Sequence, residues 1–206
     1  MQLNRPLATI TPTLDGDVLA VLAQHEVTFT AGQLHRMLGR YSEEGIRKVL
    51  LRLARQGIVR SARVGAAYAY QLNREHLAAD PIIQLAHLAQ MLFSRIEEHL
   101  AGWDLRPQYA AIFGSAARGT MSEESDIDIL LVRPDNASID IWDAQVSALT
   151  SDINNWTGND VRPLEYTASE LLAARHEPVV RDVMRDGLTV AGRRAWLIQQ
   201  LRQRSG

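Results

Sequence analysis

The feature that most limits how this chain can fold is the run Tyr109-Ala110-Ala111-Ile112-Phe113, which stops at Gly114-Ser115 and is followed by Ser125-Asp126-Ile127-Asp128-Ile129-Leu130-Leu131-Val132. A continuous apolar run of strand length predicts a strand covered on both faces. The Gly-Ser break predicts a turn into a short helix, and the second run predicts another strand. Alternation then puts Asp126 and Asp128 on the face opposite Ile127 and Ile129. Two like charges side by side need a cation to hold them there.

The 206 residues suffice for one large or two small domains. There is no cysteine, which excludes disulfides and thiolate metal sites. Met1 to Pro12 lacks the pattern of a signal peptide and no segment has transmembrane length, so a cytoplasmic protein is expected. The net charge of -2 is unevenly spread. Between Thr30 and Leu72, Arg36, Arg40, Arg47, Lys48, Arg52, Arg55, Arg60 and Arg63 face only Glu43 and Glu44, a balance of about +6 that leaves about -8 elsewhere.

Apolar spacing predicts a first helix over Leu14–Ala23, then a brief strand at Val27-Thr28-Phe29. Thr30 is the expected N-cap of a second helix ended by Gly39, and Ser42-Glu43-Glu44 starts a third that buries Ile46, Val49, Leu50 and Leu53 up to Gly57. Its other side carries Arg47, Lys48, Arg52 and Arg55. Past Gly57 the period becomes that of strands, Ile58–Val64 and Ala67–Leu72 about a turn at Gly65-Ala66. Three helices and a hairpin predict a winged helix-turn-helix at 13–73. In that reading the third helix enters the DNA major groove, and Arg60 and Arg63 reach the backbone or minor groove.

Residues 74–104 are expected to form a connecting or dimerising long helix, with Ile82, Leu85, Leu88, Ala89, Leu92, Phe93, Ile96 and Leu100 as a broad apolar stripe. A homodimer is one outcome of that stripe. The remaining domain, 105–206, adds a helix over Ile139–Trp156 with Ile141, Trp142, Val146, Leu149 and Ile153 as its apolar side. A strand over Val161–Tyr166 follows, with Pro163 marking an edge or bulge. Thr167 then caps a helix, another runs from Val179 to Gly187, Leu188-Thr189-Val190 forms a short strand, and Arg193–Arg204 ends the chain as a helix. The fold class expected is α+β.

A strand opening through Gly-Ser into a helix presents free backbone N–H groups to phosphate oxygens. Gly114 allows close approach, the Ser115 hydroxyl adds a donor, and Arg118 neutralises phosphate charge. Asp126 and Asp128 offer the hard oxygen ligands that suit magnesium shared with substrate phosphates. A metal between the carboxylates and a triphosphate removes their repulsion.

Gly114-Ser115 followed after ten residues by Asp126-Ile127-Asp128 resembles the signature of the nucleotidyltransferase superfamily that includes DNA polymerase beta. With Arg118-Gly119 and Ser125 it is most similar to the minimal nucleotidyltransferases, over roughly Tyr109 to Gly192. The resemblance implies a mixed sheet flanked by helices and two magnesium ions on Asp126 and Asp128. It also implies a nucleoside triphosphate, expected to be ATP, held by Gly114, Ser115, Arg118 and Ser125. The reaction implied moves a nucleoside monophosphate to a small molecule or to a protein such as a partner toxin. A third acid from a later strand usually completes the set. Here Arg162 stands where that acid is expected, and Glu165 is the candidate, although alternation sets it opposite Asp160 and Arg162. Besides an enzyme coupled to DNA binding, the sequence leaves open a winged-helix regulator whose nucleotidyltransferase fold senses nucleotide with weak or absent catalysis. An antitoxin-like protein that contacts a partner through its long helix is a further reading.

Overall fold

The computed structural model describes residues 1–202, and the chain divides into two compact units. The first is essentially Asn4–Ala89 and the second begins at Gln90.

The first unit opens with a single 3-10 turn, Pro6–Thr9, and then α1, Leu14–Gln24. A two-residue strand β1, Phe29–Thr30, leads into α2, Ala31–Leu38. Thr30 caps α2 through a reciprocal box in which its hydroxyl accepts from Gln33 N–H while the Gln33 side chain accepts from Thr30 N–H. Gly39, at φ +62°, ends it. The third helix, α3 (Glu43–Arg55), is capped by Ser42 and buries Ile46, Leu50 and Leu53. Strands β2 (Val59–Val64) and β3 (Ala67–Leu72) form the hairpin, and β1 pairs with the other edge of β3, giving the order β1-β3-β2. Leu22, Leu34, Ile46 and Leu50 are fully buried at the centre of this unit, each contributing about 1.5–3 kcal/mol through area removed from water.

The expected single long helix is not formed. The chain instead makes α4 (Ala79–Ala86) and α5 (Leu88–Ala101), separated at His87. The cause is local: His87 N–H is shared between Ile83 O and Gln84 O, and its ring Nδ1 donates to Ile83 O at 2.7 Å, so the turn tightens and the ladder stops. The apolar stripe is divided accordingly. Ala79 and Ala86 are buried in the first unit's core with Ile82 and Leu85 packed against it, which extends that unit beyond residue 73. Leu92, Ile96 and Leu100 are buried on α5. Of the predicted stripe, Ile82 and Leu85 pack on the first unit's core and Leu92, Ile96 and Leu100 are buried, while Leu88, Ala89 and Phe93 are half-buried.

The second unit carries a four-stranded sheet in the order β6-β5-β4-β7. Its elements after α5 are β4 (Tyr109–Phe113), α6 (Gly114–Arg118), β5 (Ile127–Arg133), α7 (Ile139–Thr157), β6 (Val161–Thr167), α8 (Ala168–Ala173), α9 (Pro178–Asp186), β7 (Leu188–Gly192) and α10 (Arg194–Arg202). The predicted extension to Arg204 lies outside the described residues. Central β4 is buried along its whole length. It pairs antiparallel with β5 and β7, and β5 pairs parallel with β6 in an unbroken register. Pro163 thus sits in an edge strand, where its missing N–H is harmless, and makes no bulge.

One face of this sheet packs Tyr109, Ala111, Leu130 and Val132 against Leu171, Val180, Val183 and Leu197. The other is covered by α7, whose Trp142 is fully buried and meets Trp103 edge-on. Ile141, expected on the apolar side of α7, is instead 46% exposed. It adjoins Trp142 along the helix, and Trp142, Val146, Leu149 and Ile153 fill the buried stripe without it.

Candidate active site

The site lies where β4 ends and β5 begins. Phe113, the last residue of β4, is paired across the sheet with Asp128. The next residue, Gly114, adopts φ +68°, and a Cβ placed on it would overlap the Asp128 carboxylate. Only glycine permits both the backbone conformation and the approach. The Gly-Ser turn and the second carboxylate are in this way held against each other. Helix α6 is only five residues long and closes at Gly119, where N–H of both Gly119 and Thr120 bond to Ser115 O. The turn therefore offers local N–H groups rather than a long helix dipole.

Asp126 precedes β5 by one residue and shares a face with Asp128, as alternation requires. Burial raises the pKa of Asp128 above the usual carboxylate range. The Asp126 charge adds to that rise, while Arg162 and Arg118 oppose it. Among the described residues no hydrogen bond or ion pair engages the Asp128 carboxylate, which leaves its oxygens available as ligands. The loop before β5 is held by residues that spacing did not single out as functional. The Asn159 side chain, 3% exposed, donates from Nδ2 to Ser125 O at 2.8 Å, and Ile127 N–H bonds to Asp160 O at 2.8 Å. In the sequence Asn159 shows only as part of a helix-breaking Gly-Asn pair; its burial is the signal that identifies it. Ser125, predicted on the nucleotide, has its hydroxyl in the loop, accepting from Ser122 N–H at 2.9 Å. The Ser115 side chain is half-buried and Arg118 is exposed beside the turn.

Glu165, the predicted third acid, does not join the pair. Register pairs it with Leu131, on the sheet face opposite Asp128, and its carboxylate accepts a 2.5 Å bond from Trp142 Nε1–H. Asp160 turns its carboxylate toward Asn154 Nδ2 at 3.5 Å. Arg162 is the residue paired with Asp128 across the parallel strands, and its guanidinium makes an ion pair with Asp126 at 2.6 Å. The donor set thus fits one magnesium ion, on Asp126 and Asp128 at the glycine cradle. It does not fit the second ion expected from the resemblance, because the third ligand position carries a cation.

The cations predicted for DNA lie elsewhere, in the first unit, and are exposed. Arg47 pairs with Glu43 and Glu44, Lys48 with Glu44, Arg52 with Asp15 and Arg60 with Glu75. Arg63 Nε donates to Gly65 O at 3.2 Å, and Arg55 projects from the last turn of α3.

The second unit thus sets a glycine turn against a carboxylate pair where β4 ends and β5 begins in a mixed sheet. A family profile described as nucleotidyltransferase domain matches residues 100–185. That span contains Gly114, Asp126, Asp128, Asn159 and Arg162. Solved structures similar to this chain include a toxin–antitoxin complex with AMP-PNP, 19% identical over 53% of this chain and 80% of that one, with a TM-score of 0.40. Another is the toxin–antitoxin MntA-HepT, 17% identical over 54% of this chain and 80% of that one, with a TM-score of 0.37. No curated protein matches the chain. No helix among the described residues is long and apolar enough to cross a membrane.

Proposed function

We propose that the second unit binds a magnesium-complexed nucleoside triphosphate, ATP in the first instance, and transfers its nucleoside monophosphate to a hydroxyl on a protein or small molecule. The observation that carries this reading is the contact between Gly114 and Asp128, which holds the Gly-Ser turn directly beside two hard oxygen ligands. Magnesium, when bound, neutralises triphosphate charge and polarises the attacked phosphorus. The chain's own contribution is placement. Gly114 and Ser115 receive phosphate oxygens, Arg118 neutralises charge, Asp126 and Asp128 orient the complex, and Asn159 fixes the loop that carries Asp126. In the transfer an acceptor hydroxyl oxygen bonds to the α-phosphorus. The bond from that phosphorus to the bridging oxygen breaks, pyrophosphate leaves, and the hydroxyl proton passes to water. Incubating the full chain with α-labelled ATP, magnesium and a lysate of its source cells tests this, with label on an acceptor expected for the native chain and absent for Asp126→Asn. Equal labelling of both would sink the assignment.

A second reading is that the chain senses nucleotide and transfers it slowly or not at all, favoured by the absence of an acid at Arg162. Isothermal titration with AMP-PNP separates the two, since binding without any labelled product supports the sensor. We further propose that the first unit is a winged helix that binds DNA through Arg47, Lys48, Arg52, Arg55, Arg60 and Arg63. The ion pairs of Arg47 and Lys48 with Glu43 and Glu44, and of Arg60 with Glu75, are exposed and worth about 0.2–1 kcal/mol each, too little to prevent exchange for phosphates. A DNA affinity that fails to fall between low and physiological salt would remove this part.

A further inference from the structure

We infer that the Arg162 guanidinium takes the place of a second divalent cation in this centre, which works with a single metal ion. The inference rests on the nucleotide-site reading and deepens it. Arg162 stands on the same sheet face as Asp126 and Asp128, since it is the parallel-strand partner of Asp128, and it reaches Asp126 at 2.6 Å. This is the position at which the resemblance to nucleotidyltransferases implies a third acid. No acid replaces it: Glu165 is on the far face bonded to Trp142, and Asp160 is turned to Asn154. Among the described residues no group of three or more His, Cys, Asp and Glu is placed to hold a metal.

Charge makes the substitution workable. Two divalent cations against three carboxylates leave one net positive charge for the triphosphate. One divalent cation and one guanidinium against two carboxylates leave the same single positive charge. A guanidinium differs from a metal in what it does with that charge. It donates hydrogen bonds to phosphate oxygens in a planar fork but does not bind an acceptor hydroxyl as a ligand. Its side chain is 72% exposed, so it is free to leave Asp126 for a phosphate when substrate enters.

The test counts bound Mn2+ per bound AMP-PNP on the full chain, by equilibrium dialysis with electron paramagnetic resonance of the free ion. One Mn2+ per nucleotide is expected for the native chain, and two for Arg162→Asp, whose exposed position makes folding of the variant undemanding and checkable by its Trp fluorescence. Arg162→Gln is expected to keep one Mn2+ and to weaken AMP-PNP binding about tenfold, the scale of a lost charge-assisted hydrogen bond to phosphate. Two Mn2+ per nucleotide in the native chain, or a single ion retained by Arg162→Asp, or undiminished affinity in Arg162→Gln, overturns the inference and leaves the nucleotide site standing. Failure of the native chain to bind AMP-PNP with Mn2+ overturns the nucleotide site itself, and this inference with it.

Discussion

Arg162 and Asp126 form an ion pair, 2.6 Å from guanidinium nitrogen to carboxylate oxygen, across the parallel edge of the sheet. The arginine side is open to solvent, so the pair is worth no more than about 1 kcal/mol to folding. Its removal should act on ligands more than on stability. In the absence of nucleotide, Arg162→Gln is expected to bind Mn2+ about two- to fivefold more tightly, because a cation that competes for Asp126 is gone. Mn2+ titration without nucleotide measures this, and weaker binding contradicts the competition.

Gly114 and Gly65 both have positive φ, +68° and +62°, yet differ in surroundings. A methyl group on Gly65 meets nothing within 4 Å, whereas on Gly114 it overlaps the Asp128 carboxylate. Gly65→Ala should therefore cost about 1 kcal/mol from backbone strain alone. Gly114→Ala should cost about 3 kcal/mol and abolish AMP-PNP binding. Because Trp103, Trp142, Trp156 and Trp196 all lie in the second unit, urea denaturation followed by Trp fluorescence reports the Gly114 variant directly. Amide hydrogen exchange of the hairpin reports the Gly65 variant. Equal costs at the two positions contradict the crowding at Gly114.

Ionisation of Asp128 is expected to subtract from the stability of the second unit at neutral pH. Its folded-state pKa is raised by burial, so the native state holds its proton more tightly than the unfolded chain does. The resulting stabilisation is complete below the unfolded value of about 3.9 and is lost as pH rises through the folded pKa. Asp128→Asn should thus raise the Trp-monitored unfolding midpoint at pH 7, with the gain vanishing as pH falls below about 4. A gain that does not change with pH assigns the effect to something other than ionisation.

Asp17 behaves in the opposite sense. Burial by itself pushes its pKa up, but hydrogen bonds from Arg5, Tyr41 and Arg40 outweigh this and hold it below the usual range. The bonds from Arg5 are 3.1 and 2.9 Å long, and those from Arg40 and Tyr41 are both 2.5 Å. The stability from Asp17 is present above its unfolded pKa and is lost as pH falls through the folded one. Asp17→Asn leaves these cations uncompensated and should cost about 3 kcal/mol, read as faster hydrogen exchange in α1.

Much of the fold is written locally. Thr30 with Gln33 and Ser42 before Glu43 mark helix starts, Gly39 ends a helix, and the switch of period after Gly57 marks the hairpin, because caps and periodicity act over a few residues. The division at His87 escaped that pattern, since an unbroken apolar stripe does not register a ring nitrogen occupying the Ile83 carbonyl. In the candidate site, residue type and spacing singled out Gly114, Ser115, Arg118, Asp126 and Asp128, and the fold sets Gly114 against Asp128. Asn159 was not, because a buried amide looks like any turn residue until the loop folds over it.

The sequence by itself determined that Asp126 and Asp128 share a face, since alternation along one strand requires nothing beyond that strand. It also determined that Glu165 and Arg162 take opposite faces. Which strand lies beside β5, in which direction and in what register, is a long-range choice made by burying Leu130, Val132 and Leu164 with Leu171 and Val183 on one side and Trp142 on the other. That packing set Arg162 against Asp126 and gave Glu165 to Trp142. Tertiary structure decided that the Arg162 guanidinium pairs with Asp126 beside Asp128.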